Sequence, residues 1–297
     1  MRTTFAKTLL SLAKKDPRIM LLTGDLGYSV FESWQQEIPG QFLNMGIAEQ
    51  NMTGAAAGLA MEGLKPIIYS IVPFVTMRNF EQIRNDICYQ NLNVKIVGVG
   101  AGFSYGPYGH THHGLEDIGI LRTLPGMVIL APGDPVEATL ATQAMMKHTG
   151  PVYLRLGKAG EPILHTNKPI FTLGKGIVMR DGNPVTIIAT STLLETAMKI
   201  KRVNVISMPT IKPLDEALIR TFAKKSKVLV TLEEHSIIGG LGSAVSEVIA
   251  ESGIQVVFKR LGVPDRFTHT MGLQSHMRES NGLDVESILD TIQQLNK

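Results

Sequence analysis

Residues 65–102, KPIIYSIVPFVTMRNFEQIRNDICYQNLNVKIVGVGAG, decide the fold. The stretches at 65–71 and 93–102 are apolar at most positions, and the residues at about 76–88 between them have helical character. Strands that are apolar throughout are buried on both faces, and a helical connection makes two such strands parallel. The stretch therefore predicts a strand–helix–strand unit of a parallel sheet that helices cover on both sides.

The same alternation continues along the chain in both directions. In the first half it predicts further strands at 19–26, 127–132 and 151–157 and further helices at 48–61, 115–124 and 135–148. In the second half it predicts strands at 185–190, 203–208, 227–234 and 255–263 and helices at 193–200, 215–223, 240–252 and 284–295. We expect an α/β fold of two tandem doubly wound domains with mostly parallel sheets. They comprise residues 1–160 and 175–297 and are joined by a linker at 161–174.

The composition limits the classes of protein. A chain of 297 residues with 44% hydrophobic and 19% charged residues is typical of a globular protein. The basic residues are scattered and form no stripe with aromatic residues, which argues against a nucleic-acid partner. The spaced apolar residues of the amino-terminal segment, such as Phe5 and Leu9, predict an amphipathic first helix rather than a signal peptide. The chain has no run of about 18 apolar residues, so we predict no membrane-spanning helix. Because Cys88 is the only cysteine, we expect no internal disulfide and a cytoplasmic location.

Glu49 is the first candidate functional residue. It is the only formal charge between Glu37 and Glu62, and the small apolar residues TGAAAGLA follow it closely. It could be a carboxylate at a helix amino terminus that the helix dipole favours. It could equally be a functional carboxylate in apolar surroundings, where it would share a proton with a ligand nitrogen.

Two further segments contain candidate residues. Phe74, Met77 and Phe80 share one helix face, which is usually a core stripe, but Phe74 lies at the predicted strand-to-helix turn, where an aromatic ring can stack on a flat heterocycle. The loop FSYGPYGHTHHGLED (103–117) holds three histidines without a metal-ligand spacing such as CxxC or HExxH. We therefore predict no metal site there. The histidines suit hydrogen bonds to sugar hydroxyls and proton transfer, unless the loop is only a solvated surface loop.

Several motifs together resemble the transketolase family. They are GIAEQNMTGAAAGLA, the FxxMRxFEQIRND helix, GHTHHGLEDI, ILAPGDPVEA and EEHSIIGGLGSAVSEV, and they occur in the family's order over essentially the whole chain. The chain is similar to the carboxy-terminal half of transketolase or of deoxyxylulose-5-phosphate synthase. The resemblance implies that the two domains are a pyrimidine-binding domain and a transketolase-type carboxy-terminal domain.

The resemblance also implies roles for individual residues. Glu49 would be catalytic, because its family counterpart hydrogen-bonds the aminopyrimidine ring of thiamine diphosphate and activates the cofactor. Phe74 would stack on the pyrimidine, and Met77 stands where a second aromatic residue is common. His112 would be a catalytic residue close to the reacting sugar. The remaining predicted substrate-binding residues are Tyr108, His110, His113, Arg155 and Lys158.

Within that set, Arg155 and Lys158 correspond to basic residues that hold the substrate phosphate, although an ordinary ion pair would account for either.

Two positions depart from the family. Gly100 and Ala101 replace a His-Asp pair, and Tyr108 replaces an acidic residue. Both family groups touch the sugar donor, so the resemblance does not identify the sugar.

The chain lacks the family's motif for the diphosphate. Thiamine diphosphate enzymes hold the diphosphate through a divalent ion on a G-D-G motif, whereas Gly24 and Asp25 are followed by Leu26. The resemblance is therefore to the second subunit of a split transketolase. It implies an amino-terminal partner subunit that binds Mg²⁺ and the diphosphate, a heterotetramer, and transfer of a two-carbon ketol unit between phosphorylated sugars.

Three alternatives stay open at this point. A decarboxylating synthase of the deoxyxylulose phosphate type fits GIAEQ and GGLGSAV, whereas the histidine loop argues against a keto-acid dehydrogenase beta subunit. A non-catalytic scaffold subunit is disfavoured because Glu49, Phe74 and His112 are all present. The sequence assigns no functional role to His165, His235, His269 and His276, although a structural role at a turn is expected for His235.

Overall fold

The computed structural model describes residues 1–297 and contains two β-sheets surrounded by helices. The strands are β1 Ile19–Thr23, β2 Phe42–Asn44, β3 Lys65–Ile71, β4 Lys95–Val99, β5 Val128–Leu130, β6 Val152–Leu156, β7 Ile177–Arg180, β8 Val185–Ala189, β9 Asn204–Ser207, β10 Thr210–Lys212, β11 Val228–Ser236 and β12 Val257–Val263. The helices are α1 Arg2–Ala13, α2 Glu32–Glu37, α3 Glu49–Met61, α4 Val72–Thr76, α5 Phe80–Gln82, α6 Asp117–Arg122, α7 Pro135–Lys147, α8 Leu194–Lys199, α9 Glu216–Lys225, α10 Leu241–Ser252, α11 Gln274–Glu279 and α12 Val285–Leu295. A π-helical segment, Ile83–Cys88, follows α5, and short 3₁₀ turns lie at Pro39–Gln41, Gly106–Tyr108, His110–His112 and Ser191–Leu193.

The first sheet has seven strands in the order β10-β5-β6-β4-β3-β1-β2. The unit predicted from residues 65–102 is present, because β3 and β4 are parallel neighbours with Tyr69 opposite Val97. The second sheet has five strands in the order β12-β11-β8-β9-β7, of which only β7 runs antiparallel. The predicted α/β fold with two mostly parallel sheets is confirmed.

The two halves of the chain are interlocked. Strand β10 comes from the second half but completes the first sheet, where it pairs antiparallel with β5 and Thr210 lies opposite Leu130. One apolar cluster contains buried side chains of both halves, among them Ile129, Ile188 and Leu241. We therefore expect the two halves to fold as one cooperative body.

The connection between β3 and β4 differs from the single helix predicted at 76–88. The helix begins at Val72, because Pro73 occupies the first turn, where its missing N–H is tolerated. The connection then divides into α4, α5 and the π-helical segment. As a result, Phe74 lies inside the first turn of α4, at the carboxyl end of β3.

The sequence also led to expectations about Cys88 and about membrane-spanning helices. Cys88 is buried in the same apolar cluster as Ile129, and burial raises the pKa of its thiol to about 11. The side chain is therefore an unreactive core residue. None of the helices has the length and apolar character that a membrane crossing needs.

Candidate active site

Glu49 is the first residue of α3 and is 1% exposed. Its Oε1 accepts a hydrogen bond of 3.1 Å from the Ser70 hydroxyl, and its Oε2 accepts one of 2.7 Å from the Arg78 guanidinium. A Cβ atom on Gly24 would lie 3.2 Å from Oε1, so the glycine leaves room beside the carboxylate. Glu49 therefore combines both sequence interpretations, a helix amino-terminal position and a buried carboxylate that needs partners.

A buried polar chain holds the start of α3. The Thr53 hydroxyl donates a 2.7 Å hydrogen bond to the carbonyl of Glu49, and the Asn79 side chain donates a 2.6 Å bond to Thr53. Thr53 and Asn79 are both fully buried. The network links α3 to the turn after α4 and so fixes the backbone from which the Glu49 carboxylate projects.

The Phe74 ring lies beside this carboxylate. The carbon atom of the Arg78 guanidinium lies 4.5 Å from the centroid of the Phe74 ring, which is a cation–π contact. The imidazole of His112 meets the same ring edge-on, with a centroid distance of 5.2 Å. The structure thus brings three of the predicted residues, Glu49, Phe74 and His112, to one place. Met77, the predicted neighbour of the stacking ring, is 37% exposed after the end of α4.

The partners of Glu49 were missed by the sequence reasoning. Ser70 is a fully buried polar residue inside the apolar strand β3, and Arg78 is part of the quoted FxxMR pattern. Two features of the sequence could have indicated these partners. Ser70 is a polar residue inside an apolar strand, and Arg78 is a cation four residues after the aromatic Phe74.

His112 is the histidine of the loop that faces Phe74. Its imidazole also contacts the Tyr108 ring, with a centroid distance of 5.3 Å, and its Nδ1 is 3.0 Å from the Thr111 hydroxyl. Burial lowers the pKa of His112. The ring is therefore neutral at neutral pH and can accept a proton.

The other two histidines point elsewhere. His113 is 1% exposed, its Nε2 donates a 3.3 Å hydrogen bond to the Gly106 carbonyl, and its ring packs edge-on against Phe103. The ring of His113, which was predicted to bind substrate, is enclosed by its own loop in this structure and is not brought together with Glu49 and Phe74. His110 is exposed and packs against Phe267 of the second half, with a centroid distance of 4.8 Å.

Arg155 does not line the site. It is fully buried in β6, where it donates hydrogen bonds to the Asp117 carboxylate at 2.8 Å and to the carbonyls of Gly114 and Glu234 at 2.7 and 3.0 Å. Its remaining nitrogen is 3.3 Å from the Ser191 hydroxyl. The donors of Arg155, which was predicted to hold a phosphate, are directed in this structure to protein groups at the junction of the two halves.

Lys158 remains a candidate for an anionic group. Its ammonium lies 4.8 Å from the centroid of the Tyr105 ring, and it forms no ion pair with a carboxylate. Tyr105 in turn meets Tyr108, at 5.9 Å between centroids, and Tyr108 is 62% exposed. Lys158 is therefore a cation without a carboxylate partner, and it lies next to the loop that contains the histidines.

Glu234 fixes the histidine loop to the second half of the chain. Its buried carboxylate accepts a 2.6 Å hydrogen bond from the Phe103 backbone N–H and a 2.7 Å bond from Arg278. A Cβ atom on Gly102 would lie 2.5 Å from the Glu234 side chain, so only glycine permits this approach. Sequence reasoning missed this residue because its partners are 40 or more positions away.

The structure gives structural roles to two of the four histidines for which the sequence assigned no function, His165 and His235. His165 forms a cluster with Asp134 and Glu137, whose potential metal-binding atoms lie within 4.8 Å of one another. The atoms already bond to one another or to backbone N–H groups, as in the 2.8 Å contact between His165 Nε2 and Glu137. The cluster therefore ties the predicted linker to α7. His235 is fully buried in β11, and its Nε2 accepts a hydrogen bond from the Gly119 N–H at 3.2 Å, which makes it structural.

Comparison with known proteins gives the family. Residues 1–160 match the model of the transketolase pyrimidine binding domain, and residues 174–288 match that of the transketolase C-terminal domain. The chain is 37% identical to one subunit of the apulose-4-phosphate transketolase of Phocaeicola vulgatus, over 98% of this chain and 95% of that protein. It is 35% identical to 1-deoxy-D-xylulose-5-phosphate synthase of Gloeothece citriformis, over 88% of this chain but only 43% of the synthase.

A solved structure agrees with these relatives. A split-gene transketolase, described as an inactive beta4 tetramer, superposes with a TM-score of 0.89 at 35% identity, over 99% of this chain and 97% of that one. Similarity of this extent, over both domains and in the same order, leads to one conclusion: the chain belongs to the transketolase family.

Proposed function

We propose that this chain is the pyrimidine-binding subunit of a two-chain transketolase that depends on thiamine diphosphate and transfers a two-carbon ketol unit between phosphorylated sugars. The observation that carries the proposal is the fully buried Glu49 carboxylate beside the partly exposed Phe74 ring. A charge is buried at such cost only when it has a partner. The named activity of the apulose-4-phosphate relative supports the reaction class.

The residues of this chain fit the aminopyrimidine half of the cofactor. The ring is flat and carries nitrogen donors, which match the face of Phe74 and the free lone pairs of the Glu49 carboxylate. When bound, thiamine diphosphate supplies the nucleophilic carbon for attack on a ketose carbonyl. Glu49 would hold a proton at a ring nitrogen, and its burial would keep water from competing for that proton.

Residues of the histidine loop would handle the sugar. His112 contacts Phe74 and is neutral, so its imidazole could accept a proton from a sugar hydroxyl near the pyrimidine. Lys158 would contribute a positive charge for the phosphate of the sugar, the role that the fully buried Arg155 cannot take. Tyr108 and His110 would border the sugar as exposed groups of the same loop.

The diphosphate and Mg²⁺ would be bound by an amino-terminal partner subunit in a heterotetramer. The chain places Leu26 where the metal-binding G-D-G motif would need its second glycine, and the carboxylates near Glu49 form no cluster of metal ligands. The inactive tetramer of the split-gene relative, which is described by beta chains alone, supports the need for a second kind of chain. The match to less than half of the single-chain synthase supports the same division.

The proposal is tested by assembling the chain with a subunit that carries the diphosphate site and assaying ketol transfer between phosphorylated sugars. Glu49→Ala should lower the rate by about 10²- to 10⁴-fold, the range expected for loss of a positioned proton-transfer group. Glu62→Ala, a change of an exposed glutamate at the other end of α3, serves as the matched control and should leave the rate unchanged. Equal rates for wild type and Glu49→Ala would favour a scaffold role.

A decarboxylating synthase is the second candidate. The observation that favours it is the end of β4, where Gly100 and Ala101 stand in place of the family's His-Asp pair that touches the sugar donor. At Gly100 a Cβ atom would lie 2.2 Å from the Tyr105 ring, so the position cannot carry a side chain. Release of carbon dioxide from pyruvate by the assembled complex, without ketol transfer, would assign the chain to this class.

A further inference from the structure

We propose that Arg78 is a placeholder, a side chain that occupies the aminopyrimidine position of the free subunit and must leave when the cofactor binds. The inference rests on the proposed function and concerns how the site is loaded. Arg78 contacts the two groups assigned to the pyrimidine ring, the Glu49 carboxylate and the face of Phe74. No other side chain forms both a hydrogen bond to Glu49 and an aromatic or cation–π contact with Phe74.

The chemistry of the guanidinium matches that of the ring it would replace. It is planar and delocalised, stacks on aromatic faces and donates N–H groups to carboxylates. Its nitrogen is 2.7 Å from Glu49 Oε2, and its central carbon is 4.5 Å from the Phe74 centroid. An aminopyrimidine that pairs with the same oxygen and stacks on the same ring would overlap with it.

The placement of Arg78 permits its departure. Its side chain is 43% exposed, whereas that of Glu49 is 1% exposed, so the arginine reaches inward from the surface to a buried group. It forms no other side-chain hydrogen bond or ion pair in the structure. On leaving Glu49 and Phe74, the guanidinium can therefore enter water without breaking a further hydrogen bond.

In the subunit without cofactor, Arg78 provides the cation that the buried Glu49 carboxylate needs. A buried carboxylate without a cation is costly, and Ser70 supplies only one neutral hydrogen bond to Oε1. Arg78 compensates the charge of Glu49 until the cofactor provides a hydrogen-bonding nitrogen. Cofactor binding then has to break the contacts of Arg78 with Glu49 and Phe74, which weakens the observed affinity for the cofactor.

The experiment measures cofactor binding rather than activity. Wild-type chain, Arg78→Met and Arg78→Lys are each assembled with the diphosphate-binding subunit, and the Kd for thiamine diphosphate with Mg²⁺ is measured by titration calorimetry. Arg78→Met should bind about three- to tenfold more tightly than wild type, because a charge-assisted contact no longer competes. Arg78→Lys, which keeps the charge but not the flat stacking group, should lie between them.

The matched control is Arg84→Met. Arg84 is an exposed arginine six positions further along the same helical connection, and it bonds only to the neighbouring Asn85 side chain. Its replacement should leave Kd unchanged. Thermal melting of each variant confirms folding, and Arg78→Lys decides the sign of the effect if Arg78→Met folds poorly.

The outcomes separate the two proposals. Tight binding by wild type together with equal or weaker binding by the Arg78 variants would overturn the placeholder and make Arg78 a lasting partner of the carboxylate. Absence of thiamine diphosphate binding by the wild-type complex would instead refute the proposed function, and the placeholder with it.

Discussion

The junction of the two halves of the chain depends on Arg155, and Arg155→Met tests this dependence. The guanidinium is fully buried and bonds to Asp117 of the first half and to the Glu234 carbonyl of the second. Asp117 is also fully buried, and its only other partner is the Tyr153 hydroxyl, at 2.6 Å. Methionine would fill a similar volume but leave the Asp117 carboxylate without its cation.

The magnitude follows from this burial. Removing one partner of a buried ion pair costs about 3–5 kcal/mol, because the remaining charge is uncompensated. The unfolding entropy of a chain of 297 residues is roughly 0.6 kcal/mol per kelvin near the melting temperature. Arg155→Met should therefore lower Tm by about 5–8 °C, as the quotient of these two quantities.

Differential scanning calorimetry of the purified chain is the assay. The double variant Arg155→Met with Asp117→Leu should recover part of the loss, because it removes the unpaired charge as well. A Tm within about 1 °C of wild type for the single variant would refute the reasoning, since it would show that the buried pair contributes nothing net.

Two further predictions concern other buried polar groups. Burial lowers the pKa of Lys95 to about 7 from 10.5, so between these values the unfolded chain binds more protons than the folded one. In urea unfolding, wild type should therefore gain stability relative to Lys95→Met as pH rises from about 7 to 10, and a constant difference would contradict the shift. Because the potential ligand atoms of Asp134, Glu137 and His165 are engaged with one another and with the backbone, Mg²⁺ or Zn²⁺ should shift the Tm of the chain by less than about 1 °C. A larger rise that EDTA reverses would show that the cluster is a metal site.

Strands that are buried on both faces could be predicted from sequence, whereas of the four edge strands only β12 could. Strand β3 has the predicted bounds, because both of its ends are marked by polar residues or proline in the sequence. The other three edge strands, β2, β7 and β10, escaped prediction because they are only three or four residues long. Strand β10 pairs with β5, which is about 80 residues away in the sequence, so no local sequence pattern predicts this pairing.

The site was predictable where a side chain belongs to a local motif. Glu49, Phe74 and His112 are adjacent in the structure and were each indicated by a short pattern. The burial of Arg155 and His113 was not predictable, because a pattern gives the residue type at a strand end or loop but not whether tertiary contacts enclose it. The contact of Arg78 with Glu49 joins residues 29 positions apart and became visible only in the structure.

In the proposed function, the Glu49 carboxylate activates the pyrimidine of thiamine diphosphate. The most direct measurement is the rate at which the thiazolium C2 hydrogen of the cofactor exchanges with deuterated water in the assembled complex, followed by rapid quench and NMR. With saturating cofactor and Mg²⁺, Glu49→Gln should slow this exchange by about 10²- to 10⁴-fold relative to wild type. Equal exchange rates in the two complexes would show that Glu49 does not activate the cofactor.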